Sequence, residues 1–451
     1  MRQMTLQKHK RRRGVILTPQ GLNKLQEAKS EAEFKQNFGN RYTLEALSDR
    51  TGLSVDTLMK VLKCEAGVDK QTLQCCFSAF NLVLEAGDYC SPEPQMEVVE
   101  ELDATQLAKN LEPELPGGQV PLDSAFYVER VPAESDCYKT ILQPGALIRI
   151  KAPKRMGKTS LMARILDRAA MQGYRTVPLS FQLADSEIFQ HLDKFLRWFC
   201  ANIALGVQRP NQLENYWDDI FGSKISCKMY FERYILAETT QPLVLGLDDV
   251  DRLFQYPGLA DDFFGLLRSW HEEAKNRDIW KRLRLIVAHS TEVYIPLNTN
   301  QSPFNVGLPI ELHEFNRQQV QDLSRLYGLD WSTQQAEQLM TLVGGYPYLV
   351  RLALYHIQRH DLTLEKLLQT SPTSPGIYSD HLQRQLWNLQ QHPDLAAAFG
   401  QVVESSTSVK IDLIQAFKLQ SMGLVHLQGD RARPSCQLYC QYFRDRFNTN
   451  L

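Results

Sequence analysis

The chain has 451 residues, a net charge of −2, 43% hydrophobic and 23% charged residues. That length exceeds one ordinary core, and the balance excludes a disordered, collagen-like or strongly nucleic-acid-coating polypeptide. No apolar run approaches the roughly eighteen residues that span a bilayer, and no apolar signal core follows the basic run Lys8–Arg13, so the expectation is a cytoplasmic chain with no membrane partner.

Charge is unevenly spread: residues 1–90 carry an excess of Lys and Arg, residues 91–120 an excess of Asp and Glu. Within the first stretch, Thr43–Lys63 predicts a helix-turn-helix. Leu44 and Leu47 supply the apolar side of its first helix, Gly52 its turn, and Leu53, Leu58 and Val61 its second helix, with Ser54 as N-cap. Asp69 is placed to cap a further helix, Lys70–Phe80. The module resembles phage-repressor-like helix-turn-helix domains. On duplex DNA, Ser54, Asp56, Thr57, Lys60 and Lys63 would face the groove and Lys10–Arg13 the phosphates. The same fold also serves as a protein adaptor, and that alternative stays open.

Ser91–Val120 holds Pro92, Pro94, Pro113, Pro116 and Gly117-Gly118, which predicts a linker, interrupted by a short helix over Val98–Asn110. From Ala146 the pattern becomes strands alternating with helices. The strands are Ala146–Lys151, Tyr174–Phe181, Pro242–Leu247, Leu283–His289 and Pro309–Leu312, and one intervening helix is Ile188–Leu205. This alternation implies a parallel sheet covered on both faces. Beyond Asn316 the chain is helical, over Val320–Tyr327, Thr333–Leu342 and Tyr348–Ile357. The tail ends in helices around a hairpin, Gly423–Leu427 and Ala432–Ser435 about Gly429-Asp430. Nine cysteines lie scattered without a Cys-x-x-Cys pair; Cys75-Cys76 and Cys436/Cys440 are read as reduced structural thiols.

Chemistry concentrates in Ala152-Pro153-Lys154-Arg155-Met156-Gly157-Lys158-Thr159-Ser160, between the first of these strands and an amphipathic helix. Converging backbone N–H groups at a helix start bind phosphate; Gly157 permits close approach, Lys158 supplies charge, and Thr159 offers a hydroxyl to Mg2+. Ala152 stands where such loops usually begin with glycine. The strand Leu243–Leu247 runs into Asp248-Asp249, which makes Asp248 the magnesium ligand and Asp249 the group that polarises the attacking water; many related sites use a longer Glu there. The expected ligands are therefore ATP or ADP and Mg2+. His289, Ser290 and Thr291, at the end of the fourth strand, are candidates for sensing the γ-phosphate. Arg268 and Arg284 are candidate arginine fingers.

Residues Phe126–Ile357 resemble the AAA-like ATPase domain common in cyanobacterial proteins, which belongs with the STAND signalling ATPases. The matching pieces are Phe126-Tyr127-Val128-Glu129-Arg130, the Ile148–Ser160 loop, Leu243–Phe254, Leu283–Tyr294 and Gly344-Gly345-Tyr346-Pro347-Tyr348-Leu349. The resemblance implies that Glu129 and Arg130 lie against the nucleotide base and that Pro347, in a Gly-x-Pro motif, approaches it. It also implies a switch in which nucleotide exchange and slow hydrolysis move a lid and a winged-helix domain, with a nucleotide-dependent homo-oligomer as one consequence.

The expected fold is multidomain α/β: a helix-turn-helix domain at 1–90, a linker at 91–120, a P-loop NTPase core at 121–314, a helical lid at 315–372 and a winged-helix domain at 373–451. The expected function is an ATP-dependent regulatory switch controlling DNA or protein binding, with any effector enzyme on another chain. A DNA-dependent motor or DNA-mobility ATPase, and a nucleotide-stabilised scaffold, are the alternatives.

Overall fold

The computed structural model describes residues 15–36, 42–63, 68–85, 87–90, 113–238, 240–290, 305–371 and 376–449. The run Lys8–Arg13, the helix expected over Val98–Asn110 and Thr291 lie outside the described residues. The chain divides into two compact units, Met1–Asp103 and Ala104–Leu451.

In the first unit, β1 (Ile16–Leu17) pairs antiparallel with β2 (Tyr89–Cys90), and four helices follow one another: α1 (Pro19–Gln36), α2 (Leu44–Thr51), α3 (Val55–Lys63) and α4 (Lys70–Ser78). Thr43 caps α2 by accepting from the Ala46 N–H, and Gly52 ends it at φ 72°, a left-handed angle that glycine adopts without strain. Leu47, Leu58, Val61, Leu73 and Phe77 pack with Leu25 of α1 into one small core. Leu44, expected in that core, is 38% exposed at the first position of α2. Asp69 precedes α4 but makes no side-chain cap bond.

The second unit is built on a five-stranded parallel sheet of order β4-β5-β6-β3-β7, formed by β3 (Leu147–Lys151), β4 (Arg175–Ser180), β5 (Leu243–Asp248), β6 (Leu283–His289) and β7 (Leu308–Glu311). Strands β5 and β6 are buried along their whole length, as expected for the centre of a sheet covered twice. Their side chains alternate between faces. Leu243, Leu245 and Leu247 join Leu283, Leu285 and Val287 in a core with α7 (Leu192–Gly206), α8 (Gly222–Tyr230) and α9 (Pro257–Glu273). Val244, Ile286 and Ala288 face the opposite core, which holds α5 (Ala133–Ile141) and α6 (Lys158–Met171). The helix expected over Ile188–Leu205 is broken: a short turn, Ile188–Gln190, gives way at His191, whose extended backbone (φ −133°) starts α7.

One glycine sets the position of the site. A Cβ on Gly246 would lie 2.9 Å from Leu166 Cδ1 and 3.1 Å from Met162 Sδ, so the bare backbone of β5 lets α6 lie close against the sheet.

The opposite core continues without a break into the C-terminal third. Helices α10 (Arg317–Leu326), α11 (Thr333–Val343), α12 (Pro347–Gln358) and α13 (Leu364–Thr370) begin at polar caps or at Pro347, whose missing N–H is no loss at a first helical position. Asn316 with Gln319 and Ser332 with Gln335 form two reciprocal capping boxes. Then come α14 (Ser379–Gln390), α15 (Pro393–Glu404), β8 (Val409–Lys410), α16 (Leu413–Ser421), β9 (Val425–Gln428), β10 (Arg431–Pro434) and α17 (Gln437–Thr449). The three strands form an antiparallel sheet of order β8-β10-β9, turned at Gly429. Leu424, Tyr439 and Phe443 share one hydrophobic core with Ile150 and Met156 beside the loop after β3.

Candidate functional site

Parallel strands place their carboxyl ends on one edge of the sheet, and the register brings Lys151 opposite His289 and Ser180 opposite Asp248. The Ala152–Gly157 loop leaves that edge and delivers the chain into α6, fourteen residues long, whose start presents free N–H groups and a positive dipole end. Ala152 has no positive φ, so the missing glycine costs no strain. Left-handed angles occur instead at Arg155 (φ 66°) and Gly157 (φ 94°).

Around this loop the side chains interlock. Lys158 Nζ donates to the Ala152 carbonyl at 2.9 Å, the Pro153 carbonyl at 3.0 Å and Ser290 Oγ at 2.8 Å. Thr159 Oγ1 donates to Asp248 Oδ2 at 2.6 Å. The Asp249 N–H donates to Asp248 Oδ1 at 2.9 Å, and Ser180 Oγ donates to Asp249 Oδ2 at 2.8 Å. Asp249 sits at φ 55°, a region Asp enters more readily than most residues and one that clusters at working sites. Burial lowers the Lys158 pKa while Asp251, Asp248 and Asp249 pull it up; burial raises those of Asp248 and Asp251. Asp251, which the motif reading passed over two residues beyond Asp249, accepts from the Ser290 N–H at 2.5 Å.

A cavity of about 610 Å³ opens over Arg155–Ser160. Asp248, Asp249 and Ser180 line one wall; Arg130, Phe315, Pro347, Tyr348, Arg351 and Arg384 line the other. Its volume lies in the range of small-molecule sites. Pro116–Val120 also lines it, so the end of the expected linker is part of the site. That segment is pinned down: the Val120 N–H donates to Ser160 Oγ at 2.9 Å, Arg164 Nη2 to the Pro121 carbonyl at 2.8 Å, and Arg351 Nη2 meets Glu114 Oε2 at 3.3 Å.

Arg130 is buried and donates through Nη1 to the Met156 carbonyl at 2.7 Å. Glu129 is exposed, and it is its carbonyl that is engaged, by Gln319 Nε2 at 2.9 Å. Pro153 and Ala152 line a second cavity, of about 270 Å³, behind the loop, together with Ser290. Lys154 is exposed and its carbonyl accepts from the Tyr346 hydroxyl. Arg284 is no free finger: it is 4% exposed and donates to the carbonyls of Ile141, Lys281 and Arg282. Arg268 is half-buried on α9. His289 is fully buried at the end of β6, and burial with Lys151 and Lys158 lowers its pKa to about 3, which leaves the ring neutral. In the first unit, Ser54 Oγ and Thr57 Oγ1 bond each other at 2.9 Å and Lys60 is exposed; the side chains of Asp56 and Lys63 lie outside the described ones.

The donor set fits a magnesium–nucleotide group. A hydroxyl and a carboxylate meet at a helix start, an ammonium lies beside them, and a cavity of matching size adjoins. Among the described residues no three His, Cys, Asp or Glu side chains group as a metal site by themselves, so a cation here would complete its shell with phosphate and water oxygens.

Fold and site together define a P-loop domain of the AAA-like class, a nucleotide-binding architecture. The sequence profile of the AAA-like domain matches residues 115–445, and the chain belongs to that family. No curated protein matches it. Among solved structures it is similar to a Walker-type ATPase of Pyrococcus abyssi (13% identity, TM-score 0.49, 75% of this chain and 99% of that one). It is also similar to the ORC2 protein of Aeropyrum pernix in its ADP form (14% identity, TM-score 0.39, 73% and 94%). A third is a STAND protein with a tetratricopeptide repeat sensor from Pyrococcus horikoshii (13% identity, TM-score 0.33, 73% and 44%). Among the described residues no helix is long and apolar enough to cross a membrane.

Proposed function

We propose that the chain is an ATP-dependent regulatory switch of the STAND type that hydrolyses ATP slowly. The observation that carries this is the meeting of Lys158, Thr159 and Asp248 at the start of α6, inside a cavity to whose far wall α12 and α14 contribute Pro347, Tyr348, Arg351 and Arg384. Lys158 would exchange the Ala152 and Pro153 carbonyls for phosphate oxygens. Thr159 and Asp248 would hold magnesium, which when bound neutralises phosphate charge. Asp249 would polarise the attacking water and take its proton as the water oxygen bonds the γ-phosphorus and the bond to the β–γ bridging oxygen breaks, releasing ADP and inorganic phosphate. Its side chain is short and Ser180 already holds it, which supports slow turnover.

The three-stranded sheet with α14, α15, α16 and α17 is read as the winged-helix domain, and α10–α13 as the lid. The α2–Gly52–α3 pair, with Ser54 and Lys60 both exposed, supports duplex DNA or a protein as the partner of the first unit.

The test is ATP turnover by the whole chain with and without duplex DNA, beside Lys158→Ala. Slow turnover that DNA barely changes and that the variant loses supports the switch. Stimulation of many fold by DNA would replace it with the motor, and turnover that survives Lys158→Ala would remove the P-loop assignment.

A further inference from the structure

Three consecutive residues of the phosphate loop are gripped from the C-terminal side. Pro153 packs on Gly423, where an added Cβ would come within 3.1 Å of Pro153 Cβ. The Lys154 carbonyl accepts from Tyr346, a side chain only 3% exposed. Arg155 reaches furthest. Its guanidinium carbon lies 4.1 Å from the centre of the Tyr348 ring, and Nη1 is 3.4 Å from His381 Nδ1 on α14. His381 Nε2 is in turn 2.6 Å from the Tyr439 hydroxyl on α17, the two rings lying nearly parallel.

The chemistry of this relay is determinate. Arginine has only donors, so Nδ1 of His381 must accept; Nε2 then carries the proton and donates to Tyr439. Both rings are buried, His381 at 5% and Tyr439 at 0% exposure. Burial, with Arg155 and Arg384 nearby, lowers the His381 pKa to about 3 and keeps the ring neutral.

Arg155 also occupies a left-handed angle, φ 66°, that glycine would hold at no cost. An unbranched cation is held there against its backbone preference, and its side chain does not point at the acids of the site but away, to Tyr348 and His381. The same loop supplies the Ala152 and Pro153 carbonyls to Lys158, so a phosphate that draws off that ammonium acts on the residues next to the grip.

We propose that Arg155 is a latch: it ties the phosphate loop to α14 and α17, so that what the loop holds governs how firmly the C-terminal helices are docked. This rests on the reading of the site as nucleotide-binding and adds its regulation. Arg155 here is a positioning residue that acts through His381 and Tyr439.

The experiment uses the full chain and Arg155→Gly, a change the backbone favours and the fold should tolerate. Two quantities are read: amide hydrogen exchange in α14 and α17, and the release rate of a fluorescent ADP. The latch predicts faster exchange in both helices and release quickened by about tenfold, the scale of a lost cation–π contact plus a hydrogen bond. Tyr439→Phe, which removes only the hydroxyl, should move both in the same direction by less. Unchanged exchange in α14 and α17 overturns the proposal, whether ADP affinity is kept or lost; loss of affinity alone would make Arg155 a phosphate ligand. Failure of the wild-type chain to bind the fluorescent ADP at all would refute the nucleotide site itself, and the exchange measurement would still report whether Arg155 docks the two helices.

Discussion

The two walls of the cavity are held by different means. On the strand side, Thr159, Asp248, Asp249 and Ser180 form one run of hydrogen bonds of 2.6 to 2.9 Å along a single sheet edge. On the helical side, Arg351, with Arg130 and with Arg155 of the loop itself, reaches carbonyls, rings and a carboxylate supplied by separate elements. The first wall inherits its geometry from strand register; the second depends on how helices pack. A site built this way can keep its chemistry fixed while the packing around it changes.

Three perturbations would break or sharpen that contrast. Asp249→Asn should act on the strand wall alone: turnover should fall by about 10²–10³-fold, the scale of a lost general base, with ADP affinity unchanged. Equal loss of affinity would mean that Asp249 organises the site rather than the water.

Gly345→Ala should act on the helical wall alone. Gly345 has φ 74°, and an added Cβ would sit 2.3 Å from the Phe315 carbonyl oxygen, a backbone atom that cannot swing aside. We expect a stability loss of about 2–4 kcal/mol in chemical denaturation. A loss below about 1 kcal/mol would show that the turn before Pro347 adjusts freely.

The last effect is one of pH, carried by two buried histidines. His289 and His381 both have folded pKa values lowered to about 3 by burial. The unfolded chain protonates them near 6.5. Their neutral state is therefore free of penalty above pH 6.5. Stability is lost as pH falls from there toward 3, by up to about 1.4 kcal/mol per unit for each group. His381→Gln should flatten this slope in that window and leave it unchanged above pH 7. An unaltered slope would mean that His381 is already charged in the folded chain.

Much of the strand wall is legible in the sequence because its chemistry is contiguous. Gly157-Lys158-Thr159 follows a strand directly, and Asp248 ends an apolar run. The helical wall is not, for three physical reasons. The left-handed angle at Arg155 has no signature in a residue that is not glycine. Arg351 and Arg384 sit in amphipathic helices where an arginine ordinarily reads as a solvated face. The Pro116–Val120 segment looks like a linker because proline and glycine report the absence of regular structure, not the absence of contacts. The break at His191 was hidden for a related cause: apolar periodicity persists across a single extended residue.

The relay from Arg155 to His381 joins residues 226 positions apart. At about 5–20 residues per second, a ribosome takes roughly 11–45 s to make the second after the first. Through that interval the phosphate loop exists without the helices that cover Ile150 and Met156. During synthesis the apolar side of the loop is thus open to other chains until α14 and α17 emerge, and exposed apolar surface of this kind favours aggregation.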